Sequence, residues 1–317
     1  DILFGMPDTI VRPDNSFDEL YKYYIKEDLD LALGVFPTTN TKELAPVTMG
    51  ENGMILDIKD KPKKSNILNT WNIAVWSPRF TQHLHEMVEE YIKDGKIQLL
   101  SFMDHTPGQG QYRNIEIYKK TMKGYKNISD EEIDNLVTES QNKEKLTIET
   151  MEHMAKLARE NNISIASHDD DSIEKIDFVK GLGAKISEFP ITLEIAKKAK
   201  KEGLYNILLG GSHSGNLSAA DAILENAIDI LCSDYYPAAM LHSLFILNEK
   251  YGQDLCEMFK LVTINPAKAV NLDKLIGSIK EEKLADLLII EKLENNLPVI
   301  TSVFVDGKLI SKTNYRW

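Results

Sequence analysis

Ile163-Ser-Ile-Ala-Ser-His-Asp-Asp-Asp171 is the stretch of sequence that decides the fold. A short apolar run, Ile163 to Ala166, is followed at once by the polar cluster Ser167 to Asp171. Short apolar runs bounded by polar residues are typical of strands. We therefore predict a strand here, with a histidine and several carboxylates at its carboxyl end.

The same arrangement recurs along the second part of the chain, between amphipathic helical stretches. The other predicted strands are Ile97 to Met103, Ala184 to Ser187, Tyr205 to Leu209 and Asp229 to Cys232. Strands that alternate with helices indicate a parallel sheet and an α/β fold. The polar clusters after these strands are Asp104-His105, Glu188-Phe-Pro190, Gly210 to Gly215 and Ser233-Asp234-Tyr235. In a (β/α)8 barrel such strand ends meet on one face, where catalytic groups collect, so we predict a partial barrel over residues 96–317.

Histidine nitrogens and carboxylate oxygens from separate strand ends suit a divalent metal of the zinc, manganese or iron type. Such an ion lowers the pKa of water enough to make a nucleophile near neutral pH. Asp234 would serve as a ligand and general base. Any single histidine after a strand is explained equally well as a capping or hydrogen-bonding residue, but several clusters at successive strand ends favour a metal site.

The glycine-rich turn Gly210-Gly-Ser-His-Ser-Gly-Asn216 precedes a predicted helix at Ser218. Free amides in such a turn, together with a helix N-terminus, attract phosphate, although a loop without a ligand would look the same. The candidate phosphate contacts in this turn are Ser212, His213, Ser214 and Asn216. Gln109 and Arg113 could add further contacts, as could Lys119 and Lys120, although a solvated charged face explains the lysines equally well.

The first part of the chain has a different pattern. Ser16-Phe-Asp-Glu19 has the spacing of a capping box and predicts an amphipathic helix. Strands are expected at Leu29 to Pro37 and Ile73 to Trp76, and Asn52-Gly53 marks a hairpin turn.

His83-Leu-His85 has the spacing with which two histidines on a strand grip one metal. On a helix, residues two apart lie about 200° apart and cannot chelate one ion. The surrounding apolar residues recur at helical spacing, at Leu84, Met87, Val88 and Tyr91. We therefore predict a surface helix, with His83 and His85 as ordinary helix residues.

Four motifs of the first part resemble the sugar-phosphate nucleotidyltransferases, namely Gly5-Met-Pro-Asp8, Leu33-Gly-Val-Phe-Pro37, Asp60-Lys-Pro62 and Trp71-Asn-Ile-Ala-Val-Trp76. The resemblance implies a partial Rossmann-like fragment over residues 1–95. It places Asp8 as a magnesium ligand and Lys61 against a sugar phosphate. That family's glycine-rich nucleotide loop is not in this sequence, so the segment alone should not transfer nucleotides. Without the resemblance, the sequence favours Asp8 as a turn residue and Lys61 as part of a solvated lysine face.

The motifs of the second part resemble the amidohydrolase barrels, and among them the alpha-D-ribose 1-methylphosphonate 5-triphosphate diphosphohydrolases of the carbon–phosphorus lyase pathway. They are Met103-Asp-His-Thr-Pro-Gly-Gln109, Ser167-His-Asp-Asp170, Glu188-Phe-Pro-Ile-Thr192, Gly210 to Asn216, Ser233-Asp-Tyr235 and Asn265-Pro-Ala267. The resemblance implies a TIM barrel closed by a small β domain at about residues 276–317. It also implies release of pyrophosphate from the ribosyl triphosphate, a step of phosphonate metabolism.

That resemblance gives His105, His168 and Asp234 as metal ligands, with Asp234 and His168 in catalytic roles and the His213 loop steering phosphate. The opening strands of the barrel, including the histidine-bearing first one, are not in this sequence. Two alternatives therefore stay open. The chain could act as a nucleotidyltransferase, or it could be an inactive fusion of two gene fragments joined near Asp94-Gly95-Lys96.

The composition limits the classes of molecule that the protein is expected to bind. The formal net charge of −12 disfavours nucleic acid and anionic membranes and leaves a small-molecule, phosphorylated ribose substrate as the better expectation. No apolar run approaches the roughly 20 residues that span a bilayer. Cys232 and Cys256 form no metal-binding pair and no disulfide framework, which favours the reducing cytoplasm. A homo-oligomer stays open, since a partner subunit could supply the missing strands.

Overall fold

The computed structural model describes residues 2–5, 11–13, 15–40, 44–62, 64–125, 129–143, 145–209, 216–233 and 236–315. The chain divides into two compact units, Asp1–Glu90 and Tyr91–Trp317. Each unit is described by itself.

The first unit is a small antiparallel sheet with one helix packed on it. Its elements are β1 (Ile2–Gly5), α1 (Ser16–Lys26), β2 (Leu31–Pro37), β3 (Val47–Met49), β4 (Ile55–Ile58), β5 (Asn69–Trp76) and α2 (Pro78–Lys93), which continues past the boundary. The sheet order is β1-β5-β2, and β3 and β4 form a separate hairpin. Leu20 and Tyr24 of α1 pack on Ile73 and Val75 of β5.

The predicted helix, the two strands and the hairpin at Asn52-Gly53 are confirmed. The capping box is not formed, because Asn15 occupies the N-cap position and the Ser16 hydroxyl donates to the Pro13 carbonyl. His83 and His85 lie on α2, so the predicted helix there is also confirmed. The pairings described in the three-stranded sheet are antiparallel. The Rossmann-like relationship of this unit stays a prediction that rests on sequence motifs.

The second unit is built on a five-stranded parallel sheet. Its strands are β6 (Leu99–Phe102), β7 (Ser164–His168), β8 (Ile186–Glu188), β9 (Tyr205–Leu209) and β10 (Ile230–Cys232). The sheet order is β10-β9-β8-β7-β6, and all four pairings are parallel. The alternation read from the sequence is therefore confirmed as a parallel α/β sheet.

Helices connect and surround these strands. They are α3 (Ile115–Tyr125), α4 (Asp130–Asn142), α5 (Ile148–Glu160), α6 (Ile173–Gly181), α7 (Leu193–Lys201), α8 (Ala219–Leu224), α9 (Ala238–Tyr251), α10 (Leu255–Lys260) and α11 (Ile264–Ala269). The side chains of Thr147, Ser172 and Thr192 cap the N-termini of α5, α6 and α7 by accepting hydrogen bonds from backbone N–H groups. These caps fix where each helix begins, and α6 and α7 follow β7 and β8 along the chain.

The core lies between the sheet and its helices. All five residues of β7 are buried, as expected for a strand covered on both faces. Ile165 packs with Ile176 of α6 and with small residues such as Ala155 of α5, which let the helices approach the sheet. This packing makes β7 the rigid centre from which the polar strand ends project.

Three antiparallel strands end the chain: β11 (Leu287–Lys292), β12 (Pro298–Val305) and β13 (Lys308–Lys312). They fall inside the C-terminal segment for which the sequence predicts a small β domain. None of the described helices is both long and apolar enough to span a bilayer.

Candidate metal centre

The carboxyl ends of three neighbouring strands bring polar side chains together. His168 is the last residue of β7 and Glu188 the last of β8, and the two are paired in the parallel register. His105 lies three residues beyond the end of β6, the other neighbour of β7. The parallel arrangement thus collects these groups at one edge of the sheet.

His105, His168 and Asp169 form one cluster whose ligand atoms lie within 4.8 Å of one another. His105 Nε2 is 3.3 Å from Asp169 Oδ2, and His168 Nε2 is 4.0 Å from Asp169 Oδ1. The two imidazole rings are 5.1 Å apart between centroids. His105 is exposed, whereas His168 and Asp169 are buried. Among the described residues of the cluster, His105 therefore provides the side that is open to solvent.

The backbone conformation of Asp169 carries its side chain into the cluster. Side chains alternate between the faces of a strand, so a regular continuation of β7 would turn Asp169 away from His168. Instead Asp169 has φ of 51°, in the left-handed region that aspartate tolerates better than most residues. Its backbone N–H still donates to the Glu188 carbonyl at 2.8 Å. This turn puts two successive side chains on one site.

Gly110 supports that turn by close approach. It has φ of 54°, and a Cβ added there would lie 2.9 Å from Asp169 Cβ, closer than real side chains come. Its backbone N–H donates to Asp171 Oδ2 at 2.7 Å. Only glycine lets the loop after β6 pack so closely on Asp169.

The cluster fits a divalent cation. Asp169 Oδ2 is buried and makes no hydrogen bond among the described residues, although His105 Nε2 lies 3.3 Å from it. A buried carboxylate oxygen without a partner is costly, and a bound cation would remove that cost. Two imidazole nitrogens and a carboxylate oxygen are ligands that zinc, manganese and iron accept. The donor set is therefore chemically suited to the metal expected from the sequence.

Side chains on the buried side of the cluster fix the position of His168. Glu188 Oε2 lies 3.0 Å from His168 Nδ1 and accepts a hydrogen bond from Ser101 Oγ at 2.6 Å. Lys175 Nζ donates to the backbone carbonyls of His168 at 2.7 Å and Asp169 at 3.2 Å. Backbone and side chain of the histidine are thus both fixed.

Asp170 is fully buried next to the cluster. Its Oδ2 accepts hydrogen bonds from the hydroxyls of Ser167, at 2.6 Å, and Ser187. Burial raises the pKa of Asp170, and these two hydrogen bonds oppose that rise only in part. The residue ties β7 to β8 beneath the cluster.

A cavity of about 630 Å³ shares His105 with the cluster. Its walls are apolar at Phe102, Met151 and Phe178, and Lys143 and Lys145 also line it. Lys145 lies 3.2 Å from Asp104. Burial raises the pKa of Asp104, but hydrogen bonds from Thr106, Gln109 and Lys145 lower it by more, to about 2. The cavity thus combines an apolar wall with charged groups of both signs, among them Lys143, Asp104 and Asp171.

Several residues predicted from the sequence lie outside the described part of the chain, namely Asp8, Ser212, His213, Ser214 and Asp234. Of the others, Gln109 lines the cavity and Arg113 is exposed beyond it. Asn216 is partly buried before α8, and Lys61 is exposed in the first unit. Lys119 is partly buried and pairs with Asp134 at 2.6 Å.

The structure brings together His105 and His168, as the strand-end argument expects. It also brings Asp169, Glu188 and Lys175 to the same site, and sequence reasoning had given none of these a role. Asp169 and Glu188 stood inside the quoted motifs at two strand ends, and this position was the available signal. Nothing in the spacing of Lys175 indicated that its ammonium would reach back to the strand.

Known proteins share sequence with a large part of this chain. A sequence model described as the amidohydrolase family matches residues 115–310. The alpha-D-ribose 1-methylphosphonate 5-triphosphate diphosphatase of Escherichia coli (strain K12) is 34% identical over 238 residues, which are 71% of this chain and 61% of that protein. The chain therefore spans less than two thirds of that relative's length.

Two further similarities are more limited. An adenine deaminase of Clostridium botulinum (strain 657 / Type Ba4) is 31% identical over 121 residues, 35% of this chain and 20% of that protein. Among solved structures, an amidohydrolase from Thermotoga maritima MSB8 aligns with a TM-score of 0.43 and 18% identity, covering 68% of this chain and 62% of that one.

Proposed function

The chain belongs to the amidohydrolase family, and from that premise we propose that it hydrolyses alpha-D-ribose 1-methylphosphonate 5-triphosphate, with release of pyrophosphate. The observation that carries the proposal is the cluster of His105, His168 and Asp169, in a chain 34% identical over 238 residues to a diphosphatase of that substrate. The reaction class is hydrolysis of a phosphoric anhydride in phosphonate metabolism.

His105, His168 and Asp169 would hold a divalent ion, and Asp234 stays a proposed fourth ligand and general base. Such an ion supplies positive charge that polarises a phosphoryl oxygen and lowers the pKa of water. Zinc, manganese and iron all match these ligand types. The buried side of the cluster excludes water behind His168, so attack on the substrate would come from the open side at His105.

The cavity beside His105 supplies a place for the substrate. A ribosyl triphosphate combines a sugar ring with a chain of anionic phosphates. The apolar wall at Phe102 and Phe178 suits the ring, and Lys143 and Lys145 suit the phosphates. Among the described residues, no ion pair joins Lys143 to a carboxylate, so its charge is available. Gln109, Arg113 and Asn216, with Ser212, His213 and Ser214, stay proposed substrate contacts.

The test is pyrophosphate release by the purified chain, supplied with the ribosyl triphosphate and with Zn²⁺, Mn²⁺ or Fe²⁺ in turn. We expect pyrophosphate and the 5-phosphate product by phosphorus NMR. His105→Ala should abolish release, whereas His83→Ala, a helix histidine of the first unit, should leave it unchanged. No release with any of the metals would refute catalytic competence and favour the inactive fusion.

For the first unit we propose descent from a sugar-phosphate nucleotidyltransferase, with residues 1–95 and 96–317 as the two ancestral pieces. The order of the four motifs supports this, and Asp8 with magnesium and Lys61 would be the remnants of its site. Incubation with a nucleoside triphosphate, a sugar 1-phosphate and Mg²⁺ should give no nucleotide sugar. Formation of that product would instead favour the nucleotidyltransferase alternative.

Sedimentation velocity of the purified chain would decide whether a homo-oligomer forms.

A further inference from the structure

The ring of His168 is held on the side that faces away from the cluster. Its Nδ1 lies 3.0 Å from Glu188 Oε2, while its Nε2 points towards Asp169. A carboxylate can only accept a hydrogen bond, so the proton of the neutral ring must lie on Nδ1. The lone pair of Nε2 is then free, and an unprotonated nitrogen is what a metal requires.

Glu188 is itself fixed. Its side chain is only 15% exposed and that of His168 only 11%. Ser101 Oγ donates to the same Oε2 at 2.6 Å from β6, so residues of three adjacent strands make one chain of hydrogen bonds. The Phe189 ring packs edge-on against His168, with centroids 5.0 Å apart. The imidazole is therefore restricted in both rotation and tautomer.

We propose that Glu188, anchored by Ser101, is a positioning residue that sets the tautomer of His168 and thereby the metal affinity of the cluster. This inference rests on the metal centre of the proposed function. It assigns Glu188 no contact with substrate. We assign its effect to the histidine, because Oε2 holds hydrogen bonds from both His168 and Ser101.

Glu188→Gln is the sharpest variant, because it keeps the size of the side chain. An amide can donate as well as accept, so it can bind the His168 tautomer with the proton on Nε2, which blocks the metal. We expect Zn²⁺ affinity to fall about 10- to 100-fold, the usual cost of losing such a partner. Glu194→Gln, a surface change in the first turn of α7 close to the same strand, is the matched control and should bind as the wild type does.

Ser101→Ala removes the anchor without touching His168. Its loss of Zn²⁺ affinity should be smaller than that of Glu188→Gln, and the double variant should lose less than the two singles together, since both act through one hydrogen-bond chain. Zn²⁺ affinity is measured by competition with a chromophoric chelator. Thermal unfolding of each variant without metal checks that it is folded.

Nitrogen NMR of the metal-free protein reads the tautomer directly. The wild type should show His168 with its proton on Nδ1, and Glu188→Gln should show a shift towards the other form. An unchanged Zn²⁺ affinity in Glu188→Gln would overturn the inference, as would a wild-type proton on Nε2. If the wild type binds Zn²⁺ and the variants behave as expected but no pyrophosphate is released, the proposed function fails while the inference stands.

Discussion

Replacing Gly110 by alanine should lower the stability of the fold and weaken metal binding, although Gly110 is not itself a proposed metal ligand. Two costs combine in this variant. The left-handed φ of 54° costs a residue with a Cβ about 1–2 kcal/mol. In addition, the new Cβ would lie 2.9 Å from Asp169 Cβ, so the loop or Asp169 must move. Overpacking of this kind typically costs about 1–3 kcal/mol more.

Gly95→Ala separates the two costs. Gly95 has φ of 64°, and nothing lies within 4 Å of an added Cβ, so this variant carries the backbone cost alone. At about 2–4 °C per kcal/mol for a unit of this size, Gly95→Ala should lower Tm by about 2–8 °C. Gly110→Ala should lower it by a further 2–12 °C or so, from the overpacking cost converted in the same way.

Metal binding gives the decisive comparison. A shift of Asp169 should weaken Zn²⁺ binding by about tenfold in Gly110→Ala, because ligands must be held to within about 0.5 Å. Gly95→Ala should bind Zn²⁺ like the wild type. If both variants lowered Tm by the same amount and both bound Zn²⁺ with wild-type affinity, the close approach of Gly110 to Asp169 would have no role in the site.

Three other variants test hydrogen bonds and ion pairs around the parallel sheet. Asn206→Ala should cost about 2–4 kcal/mol in urea unfolding, because the buried amide donates to two backbone carbonyls that would lose their partner. Hydrogen bonds from Lys180 and Lys198 lower the pKa of Glu202 to about 2. That carboxylate therefore stabilises the fold above its ordinary pKa, and the stabilisation is lost as the pH falls from about 4 to about 2. Glu202→Gln should flatten the pH dependence of Tm in that window, and an unchanged profile would contradict the pairing. Lys175→Met should weaken Zn²⁺ binding, because it removes the ammonium that holds two carbonyls behind the cluster; equal affinity would show that those hydrogen bonds are dispensable.

The sequence was sufficient to predict the parallel sheet, because its signals are local. Short apolar runs, the helical spacing between them and the turn into each strand lie within a few residues. The position of His105 and His168 at the same edge of the sheet was also predictable, since parallel strands place their carboxyl ends at one edge whatever the strand order. Their contact additionally requires β6 to lie beside β7. The helical setting of His83 and His85 was decided by the same periodicity.

The role of Asp169 could not be predicted in this way. Alternation along a strand would place it opposite to His168, and the left-handed conformation of Asp169 at the strand end breaks that alternation. The pairing of His168 with Glu188 depends on the strand order, and the reach of Ser101 depends on β6 lying on the other side of β7. These facts belong to the tertiary structure, which no local pattern contains.

The position of β7 explains why so much of the site converges there. Its two neighbours contribute Ser101, His105 and Glu188, while β7 and the turn after it contribute His168 and Asp169. A cation held by His105 and Asp169 would join the loop after the edge strand β6 to the buried centre of the sheet. Binding to the folded chain alone stabilises it by about 2.7 kcal/mol at a ligand concentration of 100 times Kd. Metal affinity and the stability of β6 in the sheet would therefore be coupled, because the same cross-link would serve both.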